Sequence, residues 1–341
     1  MRAVPSRAAW WGSMVRIACQ LGVLRAALGI DCVHAQPPPI DPPAARAFIS
    51  NQGSHDVSVI ELPSGREVRR LPVAAGPAGV AVDARHGQVY ITSPDGRALT
   101  AFDTRTLQRR GEVQLGGGPV AIAVDREGEH IYISDWYQNQ VLMIRAGTLE
   151  VERRINVGRV PAGLAVAPDG RRVYVAERDE NRIAVIDTQS GTVIAHVAVG
   201  EHPFGLALDE SGQRLFAVNV LSNNVTRIET DSLTASATIA VGNSPYCAVV
   251  APDGRVFVSN QHGDSVSVID GATARLLQTL AVGAYPEGIA VDDHALYVVS
   301  WMDEELEVFD LHSLSPILHV ATGRNSRGFG AFLWRPVVPQ P

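Results

Sequence analysis

A chain of 341 residues with 46% hydrophobic and only 19% charged residues is too apolar to remain unfolded, since disorder goes with low hydrophobicity and high charge. Its formal net charge of −7 offers no basic field for phosphate backbones, so nucleic acid is not an expected partner. Of three cysteines, Cys19 and Cys32 fall in the N-terminal segment, which leaves Cys247 without an intrachain partner and reads it as a small buried hydrophobe.

Residues 1–35 carry Arg2, Arg7 and Arg16, then an apolar run from Ile17 to Leu24, and end in Val33, His34 and Ala35. That order of basic, apolar and small residues predicts a secretory signal peptide and a periplasmic or secreted protein. Arg25 and Asp31 interrupt the apolar core, so a start at Met14 stands as the alternative. No later stretch reaches the eighteen or so apolar residues of a membrane span, and the mature chain is expected to be soluble and monomeric. Residues 36–44, beginning QPPPIDPP, read as a linker because proline lacks the N–H a sheet needs.

From residue 45 to 335 one pattern recurs. An aromatic residue inside a short β-branched run stands at Phe48, Tyr90, Tyr132, Tyr174, Phe216, Phe257 and Tyr297, at intervals of 42, 42, 42, 42, 41 and 40 residues. A proline recurs in step, at Pro77, Pro119, Pro161, Pro203, Pro245 and Pro286. A period near forty marks a repeat architecture of four-stranded units. In the copy around Tyr174 the strands are read at Gly163 to Ala167, Arg172 to Ala176, Arg182 to Asp187 and Thr192 to Val199, separated by turn residues. Two residues after each proline the side chain is small: Gly79, Ala121, Gly163, Gly205, Cys247 and Gly288. Small residues alternating with bulkier ones suit strands crowded around a common axis, so these glycines are structural.

The predicted fold is therefore an all-β, seven-bladed β-propeller of four-stranded antiparallel blades. The first copy lacks an inner strand, and Ser326 to Phe332 supplies an unmatched one with Gly328 and Gly330 at the small positions. The C-terminal strand is thus expected to join the first blade and close the ring, with residues 336–341 as a tail. The core FISN at Phe48 to Asn51 and FVSN at Phe257 to Asn260, followed by VIE or VID and then VGxxPxG, resembles the YVTN family of seven-bladed propeller repeat proteins over residues 45–335. That resemblance implies a scaffold shared by surface-layer proteins, secreted propellers and the propeller subunits of quinoprotein amine dehydrogenases. Fold alone does not assign activity.

Any site is expected on the face where the loops after the aromatic strand meet those leading into the inner strand. The copies there carry Asn51, Ser93, Asp135, Glu177, Asn219, Asn260 and Ser300, followed by residues that include Trp136, Arg178 and Trp301. With Tyr137, Arg159, His202, Tyr285 and Arg324 nearby, these residues suit a small polar or anionic ligand, arginine being the fork-shaped carboxylate binder. A partner protein is the other expected occupant, and solvated polar loops are the bland alternative. His55, His202 and His262, with Asp135 and Glu177, are the weak metal candidates. No GxSxG, HExxH, CxxC or Walker loop is present, and no cofactor is specified. The expectation is a binding or interaction scaffold. The alternative is an enzyme or enzyme subunit, either a dehydrogenase propeller or a metal-assisted hydrolase or lactonase using Asp135 and Glu177.

Overall fold

The computed structural model describes residues 44–336. The expected signal peptide at 1–35, the spacer up to Pro43 and the tail after Pro336 lie outside these described residues. Within them, antiparallel blades of four strands follow one another seven times around a ring, an all-β seven-bladed propeller. The fourth blade represents the rest: Pro161–Val166, Arg172–Glu177, Arg182–Asp187 and Thr192–Ala198 pair in sequence order from the axis outward. Its second and third strands are near-continuous apolar runs because neighbouring blades cover both of their faces. Its outermost strand alternates exposed residues with partly or fully buried ones, as a strand with one wet face should.

The repeating aromatic residues hold blade to blade. Phe48, Tyr90, Tyr132, Tyr174, Phe216, Phe257 and Tyr297 are each at most 4% exposed, and fully burying such a side chain contributes about 1.5–3 kcal/mol. The small residues near the axis have an equally direct cause. A Cβ on Gly163 would collide with the carbonyl oxygen of Phe204 in the next blade, and Gly205 and Gly288 face Tyr246 and Arg327 in the same way. The inner strand bulges at this point, between Pro161 and Leu164 in the fourth blade and at matching positions in the third, fifth, sixth and seventh.

Closure uses the C-terminal segment, with a register that differs from the other blades. Ser326 bridges Asn51, but regular pairing resumes only at Leu333–Trp334, opposite Ala47 and Arg46. Between them Phe329–Ala331 swings onto the second blade and runs parallel to Gly79–Ala81. The expected strand, Ser326 to Phe332, is therefore split, and its pairing half extends to Trp334. The segment between them has two residues at positive φ, Gly328 at 57° and Gly330 at 113°, and the second of these values is open to glycine without strain. Trp334 is 1% exposed and Phe332 fully buried, so the closing segment is anchored in the core. No helix among the described residues is long and apolar enough to cross a membrane.

Candidate functional site

On the loop face, the turn between the second and third strands ends in a left-handed residue, Asn139, Asn181, Asn223 or Asp264 in the third to sixth blades. Asparagine and aspartate tolerate that conformation better than other side chains. Each then reaches the next blade. The Oδ1 atoms of these four accept the N–H of Val160, His202, Ser244 and Tyr285 at 2.8–3.0 Å, the residues just before the recurring prolines. His202 and Tyr285, both site candidates, are thereby held with φ at 52° and 58°. The clamp is legible in the sequence as Asn or Asp at matching positions of successive copies.

The polar ring expected at the bottom of this face lies beneath the surface. Asn51, Ser93, Asp135, Glu177, Asn219, Asn260 and Ser300 are all fully buried. Six of these side chains fold back to bond groups nearby in the fold, while Ser93 Oγ has no partner among the described residues. Glu177 takes the Gly158 N–H at 2.6 Å and Arg182 Nε at 2.5 Å, with His196 Nε2 at 3.5 Å. Asp135 takes the Gly118 N–H at 2.8 Å and Gln140 Nε2 at 3.0 Å. A buried carboxylate must be paired and hydrogen-bonded, and these two are consumed in meeting that requirement. The seventh blade, with Ser300 at this position, recruits Glu307 to receive the Gly283 N–H instead.

The remaining candidates separate into groups. Trp136 is half-buried, with the Arg178 guanidinium 5.5 Å from its ring centroid. Arg178 also bonds Asp179 at 2.9 Å. Arg159 is exposed and paired with Glu180 at 2.8 Å, while Tyr137 is 70% exposed. Tyr285 lies between His262 and Trp301, with ring centroids 5.3 and 5.6 Å away. Arg324 is exposed and donates to the Gly53 carbonyl at 2.9 Å.

The metal candidates do not converge. His55 Nδ1 accepts the Gly76 N–H, and His262 Nδ1 bonds Ser244 Oγ at 2.7 Å. Among the described residues no three His, Cys, Asp or Glu side chains are grouped so as to hold a metal ion.

Four residues at the centre of this face escape a reading based on the loops. The position directly after each proline is Ala78, Val120 and Ala162 in the second to fourth blades but Phe204, Tyr246 and Glu287 in the next three. Arg327 occupies the matching place in the closing segment. Phe204 and Tyr246 stack at 4.1 Å, and Phe204 packs on Phe329 at 5.2 Å and Trp136 at 6.0 Å. Glu287 is 2% exposed. It is bound by Arg327 Nε at 2.6 Å, Arg327 Nη2 at 3.2 Å and Gln261 Nε2 at 2.9 Å. Among the described residues Arg327 Nη1 has no hydrogen-bond partner. Burial pushes the Tyr246 phenol well above its usual pKa, so it stays a neutral group beside Arg327. The signal that could have found these four is the same comparison between copies, applied one residue after the proline.

Comparison with known proteins bears on the fold. A family model described as "Lactonase, 7-bladed beta-propeller" matches residues 151–244, less than a third of the chain. No curated protein matches the chain in sequence. Among solved structures, hydrazine synthase of Kuenenia stuttgartiensis is 22% identical with a TM-score of 0.66, covering 74% of this chain and 88% of that one. A protein of Desulfotomaculum acetoxidans described as functionally unknown is 14% identical with a TM-score of 0.72, covering 82% and 97%. The dihydro-heme d1 dehydrogenase NirN in complex with DHE is 18% identical with a TM-score of 0.62, covering 84% and 66%. At these identities the likeness is one of fold.

Proposed function

We propose that this propeller is a binding scaffold whose loop face takes a small polar or anionic ligand, and that it performs no covalent chemistry of its own. One observation carries the reading. At the loop end of the axis, Phe204, Tyr246, Glu287 and Arg327 cluster where the second to fourth blades have the smaller Ala78, Val120 and Ala162. Trp136, with Arg178 over its ring, packs against Phe204 at the edge of that cluster. Aromatic walls with a few directed guanidinium groups fix a planar or anionic ligand. The carboxylates that acid–base catalysis would need, Asp135 and Glu177, are spent on internal hydrogen bonds. On the repeated FISN and FVSN cores we also place the chain among YVTN-type propellers. From residues 1–35 we place it outside the cytoplasm, for which N-terminal sequencing of the exported protein should begin at Gln36.

The test is a thermal-shift titration with benzoate, gluconate and phosphate. At least one should raise the melting temperature of the natural protein and fail to do so when Trp136→Ala and Arg178→Ala are combined. Equal shifts in both proteins would remove the loop face as the site. A second reading, lactone hydrolysis, is favoured by the family match, which spans Arg159, Glu177, Arg178 and His202. It requires a group free to activate water. Ring opening of δ-gluconolactone above background, lowered by His202→Ala, would establish catalysis in place of binding alone.

A further inference from the structure

Below the aromatic group of Phe204, Tyr246 and Phe329 the axis of the ring is hollow. The cavity holds about 450 Å³, within the ordinary range of small-molecule sites of about 300–1,000 Å³. Phe329 lines it and also packs against Phe204 and Tyr246, so the aromatic group separates this space from the loop face. Its lining follows from the inner-strand pattern, small side chains alternating with aliphatic ones. The residues around it are glycine, alanine, valine, leucine, isoleucine and Phe329, together with Cys247, and none carries a charge. At the end remote from the prolines, Val82, Val124, Leu208, Val250, Val291 and Leu333 line the cavity and are each only half-buried. A ring of partly exposed aliphatic groups thus surrounds the mouth on the face opposite the loops.

The chemistry of the lining selects its occupant. A charged molecule would lose its hydration with no counter-charge to meet it, a cost far above that of any neutral group. An uncharged apolar molecule loses only unfavourable contact with water. Except in the second blade, whose inner strand is covered by Phe329–Ala331, the inner strands are the last in their sheets, so their inward edges offer unpaired backbone N–H and C=O groups to a neutral polar substituent. We propose that the axial cavity is a second binding site, for an uncharged, largely apolar small molecule that enters from the face opposite the loops and lies against Cys247. This site is independent of the loop-face reading.

The test uses N-phenyl-1-naphthylamine, a neutral apolar fluorophore, with the full chain. Saturable binding of one equivalent is expected, weakened at least tenfold by Val250→Glu combined with Val291→Glu at the mouth. Val250→Trp, which fills the mouth without adding charge, should weaken it as well and covers the case in which the acidic variant does not fold. Trp136→Ala with Arg178→Ala should leave the affinity unchanged. Saturating fluorophore should also slow disulfide exchange of Cys247 with the neutral reagent 4,4′-dithiodipyridine, followed on the Cys247 peptide. Absence of saturable binding, indifference to the mouth variants, loss of binding with the loop-face variant or an unprotected Cys247 would each overturn the proposal.

Discussion

Four aspartates close the turns between third and fourth strands, and each is tied to the chain just beyond it. Asp103 accepts the N–H groups of Arg105 and Thr106, Asp187 that of Ser190, Asp270 those of Ala272 and Thr273, and Asp310 those of His312 and Ser313. These backbone bonds hold Asp187, Asp270 and Asp310 below the usual carboxylate range. At Asp103 burial works in the opposite direction, but the Thr106 N–H and the Arg110 side chain outweigh it and bring the pKa down to about 2. A carboxylate whose folded pKa lies below its unfolded value of about 3.9 stabilises the native state above that pH. The contribution fades as pH falls from about 4 through the lowered values. Replacing all four by asparagine should therefore flatten the decline of the urea midpoint between pH 4 and pH 2, and an unchanged slope would show that these turns do not govern acid stability. Their role is legible in the sequence because donor and acceptor are two or three residues apart. Glu177 is different. Its fate depends on the Gly158 N–H, nineteen residues earlier, and nothing in the local sequence tells a carboxylate that folds back from one that faces the solvent.

The blade-to-blade contact explains why the period was readable and where its detail was not. At Gly79, Gly163, Gly205 and Gly288, two positions after a proline, the next blade's carbonyl occupies the space a side chain would need, and the two other copies carry only the small Ala121 and Cys247. That constraint repeats with the fold and so appears in the sequence as a pattern. Gly163→Ala presses a methyl group into backbone that cannot move away independently, and overpacking of this kind costs about 1–3 kcal/mol. Urea unfolding should register that loss, whereas Gly170→Ala, where the Cβ meets nothing within 4 Å, should lose less and only through its positive φ of 70°. Equal losses at the two sites would mean that the carbonyl contact is not what keeps this position small. The residue after the proline obeys no such rule. Ala162, Phe204 and Glu287 all stand there on equivalent strands, so the side chain can vary without disturbing the ring.

At the scale of the whole ring, the termini decide whether seven blades behave as one. The first blade receives its innermost strand from Leu333–Trp334, and Phe329–Ala331 fills the gap between the inner strands of the seventh and second blades. The split between these two roles was hidden in the sequence, because a register shift is set by which backbone groups find partners and not by the apolar pattern. Arg46 shows how far the closure reaches: its Nη1 caps the Thr104 and Arg105 carbonyls of the second blade, and its guanidinium lies 5.9 Å from the Trp334 ring. Ending the chain before Ser326 removes both strand pairings and the Trp334 contact together. The strand Ala45–Asn51 then presents an unpaired edge with the fully buried Phe48 and Ile49 uncovered beside it, and such an edge is a template for association with another chain. The shortened protein should sediment as oligomers in analytical ultracentrifugation, with hydrogen exchange accelerated first in the first and seventh blades. Trp334→Ala alone, which keeps the strand but empties its anchor, should sediment like the unaltered protein and lose about 3–5 kcal/mol of stability. If the truncated chain sedimented like the unaltered protein with uniform protection in every blade, the blades would be stable without closure, and the ring would have to be regarded as a stack of neighbours and not as a single cooperative unit.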